Sequence, residues 1–388
     1  METVEVAGGA GRLVDTGPVW DEGGSLALPT LVGEASADVC VVGLGGTGLS
    51  AVRTARARGL SVVGLDAAGV ASGAAGRNGG FLLAGLAAFH HDAAADLGAE
   101  RATALYRLTL EELAAMERLT PDLVRKTGSL RLAASPEELE DCQRQLARMR
   151  ADGLPAEPYA GPEGEGLLFP EDRVFDPLAR CRRLAAMALA EGADLYGGSP
   201  AVSIARGTVT TPAGRVDCGA VVVAVDGGLE RLLPELAGRV RTARLQMLAT
   251  APTDEVRLPR PVYRRYGFEY YQQLPDGRIA LGGYRDRGGE GEWTHDARPD
   301  AAVQDLLETF LREDLGVRAP VTHRWAARVG FSRGVLPVFA KLRGGVVAVG
   351  GYSGTGNVVG SLLGREAVAA AVGDESGLSG LFGLAEIG

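Results

Sequence analysis

Lysine is nearly absent from this chain: Lys126 and Lys341 are the only two. The four cysteines, Cys40, Cys142, Cys181 and Cys218, are far apart and form no C-x-x-C pair, so neither a zinc knuckle nor a disulfide framework is expected. A reducing compartment fits that usage. No apolar run approaches the ~18 residues that suggest a membrane span, and residues 1–20 carry no basic, then apolar, leader pattern. A cytoplasmic protein is the expectation. Basic excess is missing too: 40 Lys and Arg stand against 49 Asp and Glu, a net charge of −9. That balance argues against a nucleic-acid or anionic-membrane surface and leaves small-molecule chemistry as the default. Oligomeric state is not readable.

Glycine is what the chain has in excess: 57 in 388 residues, roughly twice the ~7% of average usage. No strict Gly-X-Y period exists, and 46% hydrophobic content excludes a disordered chain. Eleven glycines fall in residues 43–80 and eight in residues 344–364, so the excess concentrates in two stretches and asks for bare backbone there. The length suggests two domains, and no 20–50-residue period indicates a repeat fold.

Residues 1–36 read as an extended lead-in containing Trp20, with a frayed tail as the alternative. From Asp38, Val-Cys-Val-Val, a glycine turn, a helix over Leu49–Leu60 and Ser61–Asp66 form strand, turn, helix, strand: the start of a parallel sheet. Helices are expected over Glu100–Leu119, Leu178–Glu191 and Pro136–Ala151. The last has Ser135 and Glu138 as a capping box, Pro136 at its first position, and a Leu139, Cys142, Leu146, Met149 stripe. Short strands follow at Ala201–Ile204, Thr208–Thr211 and Ala220–Val225, with Pro212–Gly214 as a turn. A hairpin spans Gln272–Leu281 around Pro275-Asp276-Gly277. The C-terminal pattern is a strand over Gly345–Val349, a glycine loop, and a helix over Asn357–Val372.

Gly43-Leu44-Gly45-Gly46-Thr47-Gly48 is a G-x-G-x-x-G between that first strand and helix. The first glycine permits the tight turn, the second lets backbone approach a pyrophosphate, and the third lets helix and strand pack closely. The helix N-terminus offers free N–H groups to phosphate. Asp66, 18 residues after Gly48, stands where a carboxylate bonds ribose hydroxyls, which favours FAD or NAD over NADP.

Ser72-Gly73-Ala74-Ala75-Gly76-Arg77-Asn78-Gly79-Gly80 follows directly. Here the sequence resembles the FAD-dependent amine and amino-acid oxidase superfamily, which includes glycine, sarcosine and D-amino-acid oxidases, and in particular gamma-glutamylputrescine oxidoreductase-like proteins. Their Trp-containing lead-in resembles Gly17–Trp20, and their S-G-R-N-G-G block resembles Arg77–Gly80. Two further segments are similar to the family: Ala201-Val202-Ser203, with Val202 as a backbone contact to the adenosine end, and Gly350-Gly351-Tyr352-Ser353-Gly354-Thr355-Gly356-Asn357 beside the flavin. The resemblance implies an α/β fold: a Rossmann-like, glutathione-reductase-type FAD-binding domain (37–85, 170–235 and 334–388) interleaved with a substrate domain of mixed sheet plus helices (86–169 and 236–333). It implies oxidation of the C–N bond of an amine or amino acid by hydride transfer to flavin N5, imine hydrolysis, and reoxidation by O2 to give H2O2. Departures are Thr355, where many relatives carry His, and the absence both of a cation after the final loop and of the lysine that relatives place on a strand near the flavin. A dehydrogenase using another electron carrier therefore stays open, as does a noncatalytic flavin-binding subunit. With no cysteine in the C-terminal stretch, noncovalent FAD is expected.

Pocket candidates follow from strand alternation and position. Phe268 and Tyr270 share one face, Glu269 and Tyr271 the other, and either face could meet substrate. Glu269 could bind a cationic amine and Arg328 a carboxylate. His90 and His91 could approach the flavin or cap a helix, and without a third ligand they suggest no metal site. Asp226 ends an apolar strand, near the adenosine or in a turn with Gly227-Gly228.

Overall fold

The computed structural model describes residues 11–24, 26–374 and 377–387. At its centre the apolar runs Val39–Val42, Val62–Leu65 and Val221–Val223 are buried on both faces, the condition under which strands lose polar alternation and pair in parallel. The strand Gly33–Val42 lies between Val62–Leu65 (Val39 opposite Val62) and Gly214–Val223 (Val39 opposite Ala220). Val346–Gly350 joins beyond Gly214–Val223, and Asp194–Tyr196 beyond Val62–Leu65, both in parallel. Val338–Leu342 and Ala385–Ile387 complete that sheet at one edge.

Helices Gly46–Ala57, Pro177–Ala190 and Gly356–Val372 cover one face, burying Leu49, Val52, Leu184, Leu363 and Ala367 in the largest core. Two of them approach to backbone contact. A Cβ on Gly364 would lie 2.3 Å from the Thr47 carbonyl, and Ser50 Oγ donates to Ser361 O at 2.7 Å.

A second, largely antiparallel sheet orders Val321–Ser332, Val240–Thr250, Ile279–Gly283, Glu269–Gln273, Val262–Arg264, Ser129–Leu132, Gly164–Phe169 and Glu157–Gly161. Helix Ala301–Glu313 seals one of its faces, where Leu307, Phe310 and Leu311 join Leu248, Tyr271 and Leu281. The other face contributes Met247, Tyr270 and Trp325 to the largest core, which the two sheets therefore share. Among the described residues no helix is long and apolar enough to cross a membrane.

Several boundaries differ from expectation. The first strand starts at Gly33 rather than Asp38 because its polar first half pairs with Gly214–Cys218; that same pairing starts the later strand at Gly214 instead of Ala220. Helix Gly46–Ala57 begins inside the glycine motif, three residues early. Helix Pro136–Ala151 has its expected bounds, and Ser135 Oγ accepts from Glu138 N at 3.2 Å. The Glu138 carboxylate, however, accepts from Ala134 N at 2.8 Å and from Tyr266 N at 2.6 Å, and Leu139 is only half-buried. The described part of the lead-in is anchored rather than frayed. Trp20 is buried and its Nε1 donates to Asn78 O at 2.9 Å, while Asp15 pairs with Arg77.

Candidate active site

A cleft of about 870 Å³ opens between the carboxyl ends of the parallel strands and the uncovered face of the second sheet, the usual ligand position in such sheets. Its size lies within the range of small-molecule and cofactor sites.

The glycine motif forms one end. Gly43 has φ +100°, and a Cβ there would sit 2.6 Å from Ala224 O; one on Gly48 would sit 1.8 Å from Gly43 O. Both positions thus need bare backbone, the first for the turn and the second for helix against strand. Gly46 is different: a Cβ there meets no protein atom within 4 Å, and the residue lines the cleft. Gly45 caps the helix with no side-chain bond, so its first N–H groups are free toward the cleft. Asp66 stands on the same wall. Its Oδ2 accepts from Leu44 N at 2.9 Å and its Oδ1 from Ala68 N and Gly69 N at 2.9 and 3.1 Å, with Ser72 Oγ at 3.5 Å. The carboxylate is fixed by backbone at the cleft edge.

The other end brings together residues nearly 280 positions apart. Asn78 Nδ2 donates to Asn357 Oδ1 and Asn357 Nδ2 donates to Asn78 Oδ1, each at 3.2 Å. Asn357 also donates to Phe81 O at 2.8 Å. The adjoining loop is held from below by Asp226, whose Oδ1 accepts from Gly351 N (2.9 Å) and Tyr352 N (3.1 Å) and whose Oδ2 accepts from Gly330 N (2.9 Å). Burial pushes this carboxyl up to about 6 although three donors favour its anion. Tyr352 is buried, with its hydroxyl 3.0 Å from Thr47 Oγ1. Ser353, Gly354, Thr355, Gly356 and Asn357 line the cleft with Arg77, Asn78 and Gly79. Helix Gly356–Val372 also starts without a side-chain cap, so a second set of free N–H groups faces the same space.

The facing wall is one row across the second sheet. Strand register places Arg131 beside Tyr263, Tyr263 beside Tyr270, Tyr270 beside Gly282, and Gly282 beside Met247. Gly282 is what lets the row lie flat, since a Cβ there would come within 2.4 Å of the Tyr270 ring. Tyr263 and Tyr270 stack at 5.7 Å between centroids. Burial pushes the Tyr263 hydroxyl up to about 12 and that of Tyr270 further, so both are neutral phenols. Beyond the Tyr270 end lies Arg285, its guanidinium 4.6 Å from the Phe331 ring, 4.8 Å from Trp293 and 5.3 Å from Phe268. Among the described residues it forms no ion pair or side-chain hydrogen bond.

The structure corrects several sequence-based site assignments. Glu269 points away from the cleft, where it pairs with Arg265 at 3.1 Å and lies 3.6 Å from Arg264. Tyr271 packs on Phe310 beneath helix Ala301–Glu313. Helix cover on that side is what sends Phe268 and Tyr270 inward instead. His90 begins a helix, is buried, and bonds Asp152 at 2.7 Å beside a separate cavity of about 30 Å³. His91 lies beside Asp92 and Asp141. Val202 is exposed, its N–H is spent on Thr210 O, and Ala201 lines the cleft instead. The Arg77 side chain is spent on Asp15 and Ala326 O. Gly48, Gly80 and Gly351 shape the cleft from behind rather than lining it. Asp226 lines the cleft and, beyond a turn role, ties the C-terminal loop in place through three backbone N–H groups. Arg328 reaches the cleft but is exposed. Arg131, Tyr263, Met247 and Arg285 were missed; the one local hint was an arginine inside the alternating strand Ser129–Leu132.

The family model for FAD dependent oxidoreductases matches residues 38–370. The chain is 28% identical over 362 residues to gamma-glutamylputrescine oxidoreductase of Escherichia coli, spanning 87% of this chain and 84% of the relative. It is 25% identical over 367 residues to probable oxidoreductase OrdL of Rhizobium meliloti, spanning 87% and 83%. Among solved structures, glycine oxidase from Geobacillus kaustophilus superposes with a TM-score of 0.72 at 20% identity, over 89% of this chain and 98% of the other. L-proline dehydrogenase from P. horikoshii superposes with 0.74 at 17% identity, over 90% and 96%. The fold is the one shared by these flavoenzymes, and across more than 330 consecutive residues the chain belongs to the FAD dependent oxidoreductase family.

Proposed function

We propose that this protein oxidises the C–N bond of an amine or amino acid bearing a carboxylate, with noncovalently held FAD. The observation that carries the reading is one cleft with two uncapped helix N-termini at its glycine-lined side and an aromatic-ringed arginine without an ion pair on its opposite wall. The free N–H groups of helix Gly46–Ala57 suit the pyrophosphate, and the open space at Gly46 leaves room for it. Asp66 suits the ribose. Asn78, Gly79 and the Ser353–Asn357 loop would border the flavin, with the second helix N-terminus favouring negative charge on the ring's pyrimidine side. In this reading, residues of the first sheet and its helices form the FAD-binding part and the second sheet the substrate part.

Bound FAD would supply a two-electron acceptor for the hydride of the substrate Cα–H bond, and the resulting imine would take up water and split into a carbonyl compound and ammonia or an amine. Arg285 would hold the substrate carboxylate, and Tyr263, Tyr270 and Phe268 would exclude water from the reacting carbon. The cleft offers no side-chain base, because Asp66 and Asp226 are spent on backbone N–H groups. The amine therefore enters neutral, having lost its proton to solvent. Neither lysine lines the cleft, which supports a carrier-linked dehydrogenase beside the oxidase reading. Anaerobic mixing of the holoprotein with a panel of amines and amino acids should bleach the flavin with at least one of them. A panel with no bleaching member defeats the reading, and readmitting air to a bleached sample separates oxidase from dehydrogenase.

A further inference from the structure

The tyrosine wall has a cation at each end. Arg285 stands beyond Tyr270, and Arg131 stands beside Tyr263 in the same row of the sheet. Arg285 lies in the turn just after strand Ile279–Gly283, which is three spacings, on the order of 14 Å across the sheet, from strand Ser129–Leu132, and both side chains reach the cleft. Among the described residues neither forms an ion pair. Arg131 donates one hydrogen bond, to Gln145 Oε1 at 3.2 Å, and lies 4.3 Å over the Phe89 ring. The acid closest to Arg131 in charge terms, Asp172, has both oxygens engaged, with Ser129 Oγ at 2.6 Å and Ala84 N at 2.9 Å. Burial pushes that carboxyl up to about 6 and the guanidinium pulls it back, but with both oxygens engaged it forms no ion pair with Arg131. Half-buried arginines without a direct ion pair keep donors that a ligand anion would take up.

We propose that the substrate carries two anionic groups, one held by Arg285 and the other by Arg131, with the oxidisable C–N bond lying across Tyr263 and Tyr270 between them. The chemical class is an amino dicarboxylate of short span. This deepens the reading given above and rests on it for the position of the reacting carbon. It is also more restrictive. A single arginine accepts any amino acid, whereas a second one stays without an ion pair, and desolvated by the ligand, whenever a neutral side chain occupies the site.

The test uses the FAD-loaded protein and two unreactive probes, glutarate and butyrate, read by perturbation of the flavin absorption spectrum. Glutarate should bind roughly ten- to a hundredfold more tightly, the range expected for one further charge-assisted hydrogen-bonded contact. In Arg131→Met that ratio should fall to about one. Arg131→Lys, which keeps charge but not the planar fork, should fall between. Both variants are scored only after their ligand-free flavin spectra match the parent. In reduction assays D- or L-glutamate should outpace the matching glutamine. If glutarate binds no more tightly than butyrate to the unaltered protein, the two-anion inference is wrong even when amines bleach the flavin. If the ratio is large but no amine bleaches it, the paired cations stand and the C–N oxidation reading is what fails.

Discussion

Gly46 and Gly48 sit two residues apart in the same turn, yet their alanine variants should fail in different ways. A methyl at Gly48 lies 1.8 Å from the Gly43 carbonyl oxygen, so the helix must retreat by about 1.2 Å merely to reach the 3.0 Å inside which Cβ contacts essentially never occur. Overpacking of this kind costs roughly 1–3 kcal/mol of stability. The same movement stretches a hydrogen bond of about 2.9 Å from the helix N-terminus to phosphate beyond useful range. Losing one or two charge-assisted bonds, each about 1.5–3 kcal/mol, weakens FAD binding on the order of 10- to 10,000-fold. Gly46→Ala meets no protein atom within 4 Å, so the apoprotein should be no less stable than the parent, while its methyl stands where the phosphates would lie. The assay is thermal unfolding of the apoprotein, paired with FAD titration followed by quenching of flavin fluorescence. Gly48→Ala should lower both Tm and affinity, and Gly46→Ala affinity alone. A Gly46→Ala protein that binds FAD within about twofold of the parent would refute the placement of the pyrophosphate at this helix.

Two further outcomes follow from other parts of the cleft. The carboxyl of Asp226 sits near 6 in the folded chain against an ordinary 3.8, so the folded state holds its proton more tightly than the unfolded state does. That contribution, on the order of 3 kcal/mol, is complete below about pH 4 and is lost as pH rises through about 6. Asp226→Asn cannot titrate, so its Tm should fall less steeply than the parent's between pH 4 and 6 in circular-dichroism melts; parallel profiles for the two proteins would overturn the assignment. Gly282→Val should drive the Tyr270 ring off the wall, because even a Cβ there comes within 2.4 Å of it. Substrate-dependent flavin reduction should then slow by tenfold or more with the FAD content of the purified protein unchanged, and unchanged reduction kinetics would show that the ring is not part of the working surface.

What was legible in the sequence was local. The G-x-G-x-x-G, Asp66 and the Gly350–Asn357 loop are short stretches whose neighbours along the chain are also their neighbours in space, and the structure lines one cleft with them. Helix Pro136–Ala151 announced both ends through Ser135, Pro136 and its apolar stripe. What escaped was whatever depends on register between distant strands. Arg131, Tyr263 and Tyr270 meet because three strands align side by side, and nothing in any one strand states that alignment. The choice between Tyr270 and Tyr271 was open for a related reason: alternation defines two faces, but helix Ala301–Glu313, thirty residues downstream, decides which of them is covered. Val202 and His90 misled because position along the chain was taken for position in the cleft.

The central sheet also dictates an order of events during synthesis. Its parallel strands are drawn from the start, the middle and the end of the chain, and Val346–Gly350 pairs with Val221–Val223 more than 120 residues after those residues are made. A nascent chain can therefore build the glycine turn and its helix early, but the apolar edge at Val221–Val223 stays unpaired, open to intermolecular pairing, until the final segment leaves the ribosome. The Asn78–Asn357 clasp closes later still. Until then the growing polypeptide has only the first half of the proposed nucleotide cradle, so on that reading flavin capture would be a terminal step of biogenesis, and a chain ended before Val346 would expose this edge instead of forming a smaller flavoprotein.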